Sequence, residues 1–170
     1  MRKTCLDVVY ELAKKDPRIF FIGSDLGVGT LKQFKAEMPD RFLMEGVSEA
    51  NCVGMAAGLA LEGKIVYVNT IATFLTRRCF DQVALDLCLH NVNVRLIANG
   101  GGVVYAPLGP THEAFEDIAI LRALPRMTIL ASGGLRDGID IAKCIALGAT
   151  AGGIARSFLK TAAISLESSI

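Results

Sequence analysis

The sequence predicts an α/β fold: a three-layer open sheet, mostly parallel, with helices on both faces. Two observations predict it. Strand-like and helix-like runs alternate along the chain, the pattern of a sheet built from βα units. The strand-like runs are also continuously apolar and β-branched, as in "KIVYVNT" and "RIFFIG", rather than alternating in-out, which is how strands covered on both sides read. Strand twist then makes the crossovers right-handed. At 170 residues the chain suits one domain, or one with a short appendage.

Each element has its own signal. "TCLDVVYELAKKD" has helical spacing and stops before Pro17. "RIFFIGS" is a short strand, "LKQFKAEMPD" a brief helix and "RFLMEG" a strand. "GVSEANCVGMAAGLALEG", residues 46–63, is a helix apolar on almost every face, a pattern of burial, with Ser48 placed to cap it. "KIVYVNT" is a strand, "TRRCFDQVALDLCLH" a helix and "NVRLIA" a strand, followed by the long loop "NGGGVVYAPLGPTH". "EAFEDIAILRAL" is a helix stopped by Pro125, "RMTILAS" a strand, "GIDIAKCIALG" a helix and "TAGGIA" a weak strand before a helical end. Sites of such sheets lie in the loops at the carboxyl ends of the strands, here after residues 23, 45, 69, 98 and 131.

Composition narrows the function classes. With 52% hydrophobic and 21% charged residues the chain can build a sizeable core. A net charge of +1, with scattered Lys and Arg, gives no electrostatic footprint for nucleic acid or a membrane surface. No apolar run reaches spanning length, and the amino-terminal segment reads as an amphipathic helix rather than a signal peptide. The five cysteines lack metal-type spacing and mostly lie in apolar segments, so reduced thiols and a cytoplasmic location are expected. Two histidines leave little room for a His-rich metal site.

A few residues stand out against this background. Glu49 falls in the first turn of the oily helix, where it either complements the positive helix end or serves as a catalytic carboxyl whose pKa the apolar surroundings raise. "GSDLGVGT" matches neither the P-loop nor the dinucleotide fingerprint; Asp25 within it either caps a helix or faces the site. Phe74 follows a strand and either packs on a helix or offers a face to a flat ligand. His112 ends the glycine- and proline-rich loop, as a helix-start residue or a site histidine. Arg77 and Arg78 read by default as a solvated pair.

"GVSEANCVGMAAGLA", "TIATFLTRRCFDQV" and "GPTHEAFEDIAILRALPRMTIL" together resemble the pyrimidine-binding domain of transketolases, above all the C-terminal subunit of split transketolases, from about residue 3 to residue 130. The resemblance implies that Glu49 hydrogen-bonds N1′ of the aminopyrimidine of thiamine diphosphate and so promotes loss of the thiazolium C2 proton, kept protonated and aimed by a dry apolar pocket. It makes Phe74 the ring-stacking phenylalanine with Phe80 nearby, His112 the substrate-contacting histidine, and leaves Asp25 on the cofactor side. Sugar-using members carry a histidine where Gly100 stands and an acid where Leu108 stands, and a site without those polar partners discriminates poorly for hydroxyls. There is no "GDG" with a downstream asparagine, so diphosphate and Mg2+ are expected to be held by a separate diphosphate-binding subunit, with the active site between chains and no turnover by this chain alone.

After "RMTIL" the likeness changes. Residues 131–160, "ASGGLRDGIDIAKCIALGATAGGIARSFLK", resemble the end of the type 2 isopentenyl-diphosphate isomerase barrel, where glycine turns cradle the flavin phosphate. This implies a chimera: residues 1–130 of transketolase type and a tail, 131–170, completing the same domain. Gly133, Gly134 and Arg156 would be its phosphate contacts, though half a site does not hold FMN tightly. Two rival readings follow, a non-catalytic hybrid that folds and oligomerises, and a weak phosphate binder.

Overall fold

The computed structural model describes residues 2–24 and 31–154 of the chain. Helix α1 (Arg2–Lys15) turns Leu6, Val9, Tyr10 and Ala13 inward, positions one turn apart that make a single apolar stripe. Lys14 and Lys15 complement its negative end, and the chain turns at Asp16, whose carboxylate accepts from the Arg18 amide at 2.9 Å. Strand β1 (Ile19–Gly23) is buried along most of its length, as the central strand of a parallel sheet must be. Helix α2 (Lys32–Glu37), a 3-10 turn (Pro39–Arg41) and strand β2 (Phe42–Met44) follow. Then come helix α3 (Glu49–Leu61) and strand β3 (Ile65–Ile71).

After β3 the helical run begins earlier than expected and is wound wide. It has π turns over Phe74–Arg78, a short turn α4 (Phe80–Gln82), and π turns again over Val83–Leu89. Thr76 adds to this by donating its hydroxyl back to the Ala72 carbonyl at 3.0 Å, a bond that loosens helix winding. Strand β4 (Val94–Asn99) completes a four-stranded sheet of order β2-β1-β3-β4, in which every pair is parallel.

The strand order accounts for the layers. From β1 the chain moves one way to β2; from β2 it passes back over β1 to β3, then on to β4. Right-handed crossovers in opposite directions place helices on opposite faces. One face carries α1 and α2 over Ile19, Phe21 and Phe42, with Ile65, Tyr67 and Ile97 packed against them. Phe21 and Phe42 are register partners across β1 and β2, their rings stacked at 5.3 Å, and Phe34 of α2 closes on Phe42 at 5.6 Å. The alternate residues, among them Ile22, Val66, Val68 and Thr70, turn to the other face, where α3 packs through Cys52, Val53, Ala56 and Ala57.

The chain divides into two compact units, residues 1–115 and 116–170. In the second, helix α5 (Asp117–Arg122) precedes strand β5 (Leu130–Ser132), helix α6 (Gly138–Leu147) and strand β6 (Ala151–Gly153). Strands β5 and β6 pair in parallel with each other, as a two-stranded sheet. Helix α5 starts later than expected because Gly102 and Ala114 exchange backbone hydrogen bonds of 2.8 and 3.0 Å, which hold the segment before it in the loop. Strand β5 is shorter than its apolar run because β6 offers it only three partners, two of them glycines. Helix α6 ends at Gly148, whose φ of 116° is the left-handed conformation of a helix C-terminus.

Candidate functional site: a buried carboxylate at the sheet's switch point

The reversal of direction creates a crevice. Chains leaving β1 and β3 at their carboxyl ends go opposite ways, and parallel sheets bind ligands at such a point. Ser24 and Thr70 stand on its two sides, one just past β1 and one near the end of β3, with their hydroxyl oxygens 2.9 Å apart. Helix α3 delivers Glu49 into the same place. The residue is 2% exposed, and its Oε1 accepts from Ser24 Oγ at 2.9 Å.

The other carboxylate oxygen is taken as well. Oε2 accepts from Arg78 Nη1 at 2.9 Å, although the Arg78 side chain is itself 48% exposed. The expected raised pKa of Glu49 is therefore corrected. Burial does push it up, but the residue's own amide, the Ser24 hydroxyl and the Arg78 guanidinium together hold it below the ordinary value of 4.5. In the protein alone this group is a carboxylate, not a carboxylic acid. Ser48 does not cap α3 through its side chain; its hydroxyl donates instead to the Glu45 carbonyl at 2.8 Å.

Around Glu49 the wide turns after β3 present two arginines with separate tasks, so they are not the solvated pair expected. Arg78 lies over the Phe74 ring, its Cζ 3.9 Å from the centroid. Arg77 reaches the long loop, donating to the carbonyls of Pro110 at 2.8 Å and Glu113 at 2.7 Å. These two carbonyls bracket Thr111 and His112. The His112 ring meets Phe74 edge-on at 5.1 Å, and Thr111 Oγ1 fixes its rotation through a 2.9 Å bond to Nδ1. Tyr105 stands against the far side of the group, 6.4 Å from His112.

Arg78 thus joins Glu49 to Phe74, and Phe74 in turn meets His112. Phe80 lies further along the helical run, half-buried, while the ring contacts of Phe74 are with His112 and Arg78. Asp25 and Arg156 lie outside the described residues. Sequence reasoning does not single out Ser24, Thr70, Arg77, Arg78 or Tyr105 as site residues; the signal that finds Ser24 and Thr70 is the strand order, which no local pattern reveals. Gly133 and Gly134 have the positive φ of an anion-binding turn, 90° and 75°. Carboxylates already serve the nearby donors: Asp137 accepts from the Asp140 amide at 3.0 Å and Asp140 from the Arg136 amide at 3.1 Å. Among the described residues there is no cluster of three or more metal-ligating side chains, and no helix is long and apolar enough to cross a membrane.

The family described as "Transketolase, pyrimidine binding domain" matches residues 1–145. The chain belongs to the transketolase pyrimidine-binding family. The match runs past residue 130, into the segment expected to be foreign. Among relatives, the chain is 41% identical over 130 residues to one subunit of the apulose-4-phosphate transketolase of Phocaeicola vulgatus, covering 76% of this chain and 42% of that one. It is 38% identical over 130 residues to the 6-deoxy-6-sulfo-D-fructose transketolase subunit SqwH of Clostridium sp., with 76% and 40% covered. It is also 42% identical over 122 residues to 1-deoxy-D-xylulose-5-phosphate synthase of Microcystis aeruginosa, spanning 71% of this chain and 19% of the synthase. Among solved structures it is similar to a split-gene transketolase described as an inactive beta4 tetramer, with a TM-score of 0.67 and 32% identity over 77% of this chain and 42% of that one. The chain spans about two fifths of the split transketolase subunits it matches. Thiamine diphosphate is the cofactor that membership of the transketolase family implies.

Proposed function

We propose that the chain is the pyrimidine-binding part of a thiamine-diphosphate transketolase-type transferase, with its site completed by a diphosphate-binding partner subunit. The observation that carries the reading is Glu49, a buried carboxylate held by the Ser24 hydroxyl at the switch point and linked through Arg78 to the face of Phe74. A flat heterocycle with ring nitrogens suits that set: Phe74 offers it a face, and Glu49 an oxygen directed at a ring nitrogen. When bound, the cofactor supplies the carbanion chemistry by which a two-carbon unit leaves a ketose.

The chain's own residues hold and orient. Glu49 carries or accepts the proton at the ring nitrogen, and Ser24, itself bonded to Thr70, keeps its carboxyl from rotating away. The apolar residues of α3 exclude water that would compete for that proton. His112, braced by Thr111 and by Arg77's grip on the loop, faces the substrate. Mg2+ and the diphosphate belong to the partner. Leu108, 58% exposed where sugar-using members have an acid, leaves the loop without a carboxylate for substrate hydroxyls, so the substrate differs from a common sugar phosphate or binds chiefly through other groups.

Calorimetry tests this reading. Thiamine diphosphate with Mg2+ is titrated into the chain mixed with a diphosphate-binding transketolase subunit. Heat of binding in the mixture, lost in Glu49→Gln and in Phe74→Ala, is expected; undiminished binding in both variants overturns the assignment. The tail is expected to take up neither FMN nor phosphate, and a yellow purified protein would reverse that.

A further inference from the structure

Arg78 makes, on its own, the two contacts that the proposed site offers a cofactor ring. Its planar guanidinium lies 3.9 Å from the centroid of Phe74, and one of its nitrogens donates to Glu49 Oε2 at 2.9 Å. A guanidinium is flat, delocalised and edged with N–H donors, so it satisfies an aromatic face and a carboxylate at once. An aminopyrimidine resting on that face of Phe74 and bonded to that oxygen would need the same volume. We propose that Arg78 is a built-in occupant of the aminopyrimidine slot, which neutralises Glu49 in the empty protein and is displaced when the ring enters; this rests on the reading of Glu49 and Phe74 given above.

The surroundings suit a group that leaves. The Arg78 side chain is half-exposed, whereas the Glu49 side chain is 1% exposed, so the guanidinium can swing into water while the carboxylate stays. Burying Glu49 with no ring and no cation would leave a charge without a partner, a costly state in a dry site. With Arg78 in place the empty protein avoids it. Once Arg78 is gone, Glu49 loses the cation that faces it, one of the groups that hold it ionised, and is better able to carry the proton that a ring nitrogen requires. The arrangement therefore couples arrival of the ring to the change in Glu49 from stabilised anion to proton donor.

The sign of one affinity change decides the matter. The isolated chain is titrated with the bare ring, 4-amino-5-hydroxymethyl-2-methylpyrimidine, and followed by NMR through the Arg78 Nε–H signal and the Phe74 ring protons. If Arg78 holds the slot about nine-tenths of the time, Arg78→Ala binds the ring roughly tenfold more tightly than the unaltered chain. Arg78→Lys, which keeps the charge and loses the planar guanidinium, falls between them. In the unaltered chain the ring moves the Arg78 signal to its free-solvent position. Equal or weaker binding in Arg78→Ala overturns the displacement while leaving Glu49 and Phe74 in their roles, provided that Glu49→Gln still weakens the ring. If the ring binds as well to Glu49→Gln, or to no variant including Arg78→Ala, the proposed function and this inference fall together. Circular dichroism of each variant shows that the fold is kept.

Discussion

Ser24 donates its hydroxyl to Glu49 at 2.9 Å, joining the end of β1 to the start of α3 across the sheet's switch point. The two residues are 25 apart in sequence, yet the bond is buried. It fixes the acid at a depth where water reaches it poorly, and the chemistry and acid response of the site turn on that placement.

Replacing Glu49 by Gln keeps the size of the side chain and removes the acid. Reconstituted with a diphosphate-binding subunit, the variant should lose at least about 100-fold in thiamine-dependent transferase rate, the usual scale for a proton-transfer group. Its circular dichroism should be unchanged. Transfer at the normal rate in a folded Glu49→Gln protein would remove this residue from the mechanism.

Acid stability should carry the same signature. Because Glu49 titrates below its ordinary value of 4.5 in the folded chain, its ionised form contributes stability that is complete above that value. The contribution fades as pH falls through the folded pKa. Asp16, bonded by Arg18, and Asp140, bonded by Arg136, are both lowered to about 2 and also lose their contribution in acid, so the difference between the natural chain and Glu49→Gln is the quantity to measure. Denaturant midpoints should favour the natural chain at pH 7, by up to about 1 kcal/mol given the exposure of Arg78, and converge in acid. A gap that widens as pH falls would contradict the lowered pKa.

Arg77 should matter to the loop and not to the sheet. Its two bonds to the carbonyls of Pro110 and Glu113 bracket His112. In Arg77→Ala, amide exchange at Gly102 and Ala114 should quicken by roughly five- to tenfold, about 1 kcal/mol of local opening, while β1 and β3 exchange as before. Unchanged protection in the loop would show that the clamp carries no weight.

Gly100 and Tyr105 occupy one another's space. At Gly100, φ is 71°, and a Cβ there would lie 2.0 Å from Tyr105 Cε2. Gly100→Ala should therefore destabilise the chain by about 1–3 kcal/mol. Combining it with Tyr105→Ala should recover part of the loss, leaving only the backbone strain, and a double-mutant cycle measures the coupling. Strict additivity would mean that the ring moves aside freely. The contact also gives a physical reason for glycine at this position: the Tyr105 ring fills the space that a side chain would need.

Much was legible in the chain itself. Continuous apolar strand runs alternating with helices determined a parallel sheet covered by helices, since backbone hydrogen bonding and burial leave few other ways to satisfy such segments. Local signals also put Glu49 in the first turn of its helix, Phe74 just after a strand and His112 at the end of a long loop. What tertiary structure alone decided were contacts between segments far apart in sequence. The strand order placed Ser24 and Thr70 on two sides of one crevice, and β5 found its partner in β6, about twenty residues on. Wide turns aimed Arg77 and Arg78 at different targets. The charge of Glu49 belongs to this second group: an apolar helix suggests a protonated acid, but ionisation depends on the donors that meet the carboxylate. Ser24 and Arg78 meet it only once the chain has folded, because they come from either side of α3.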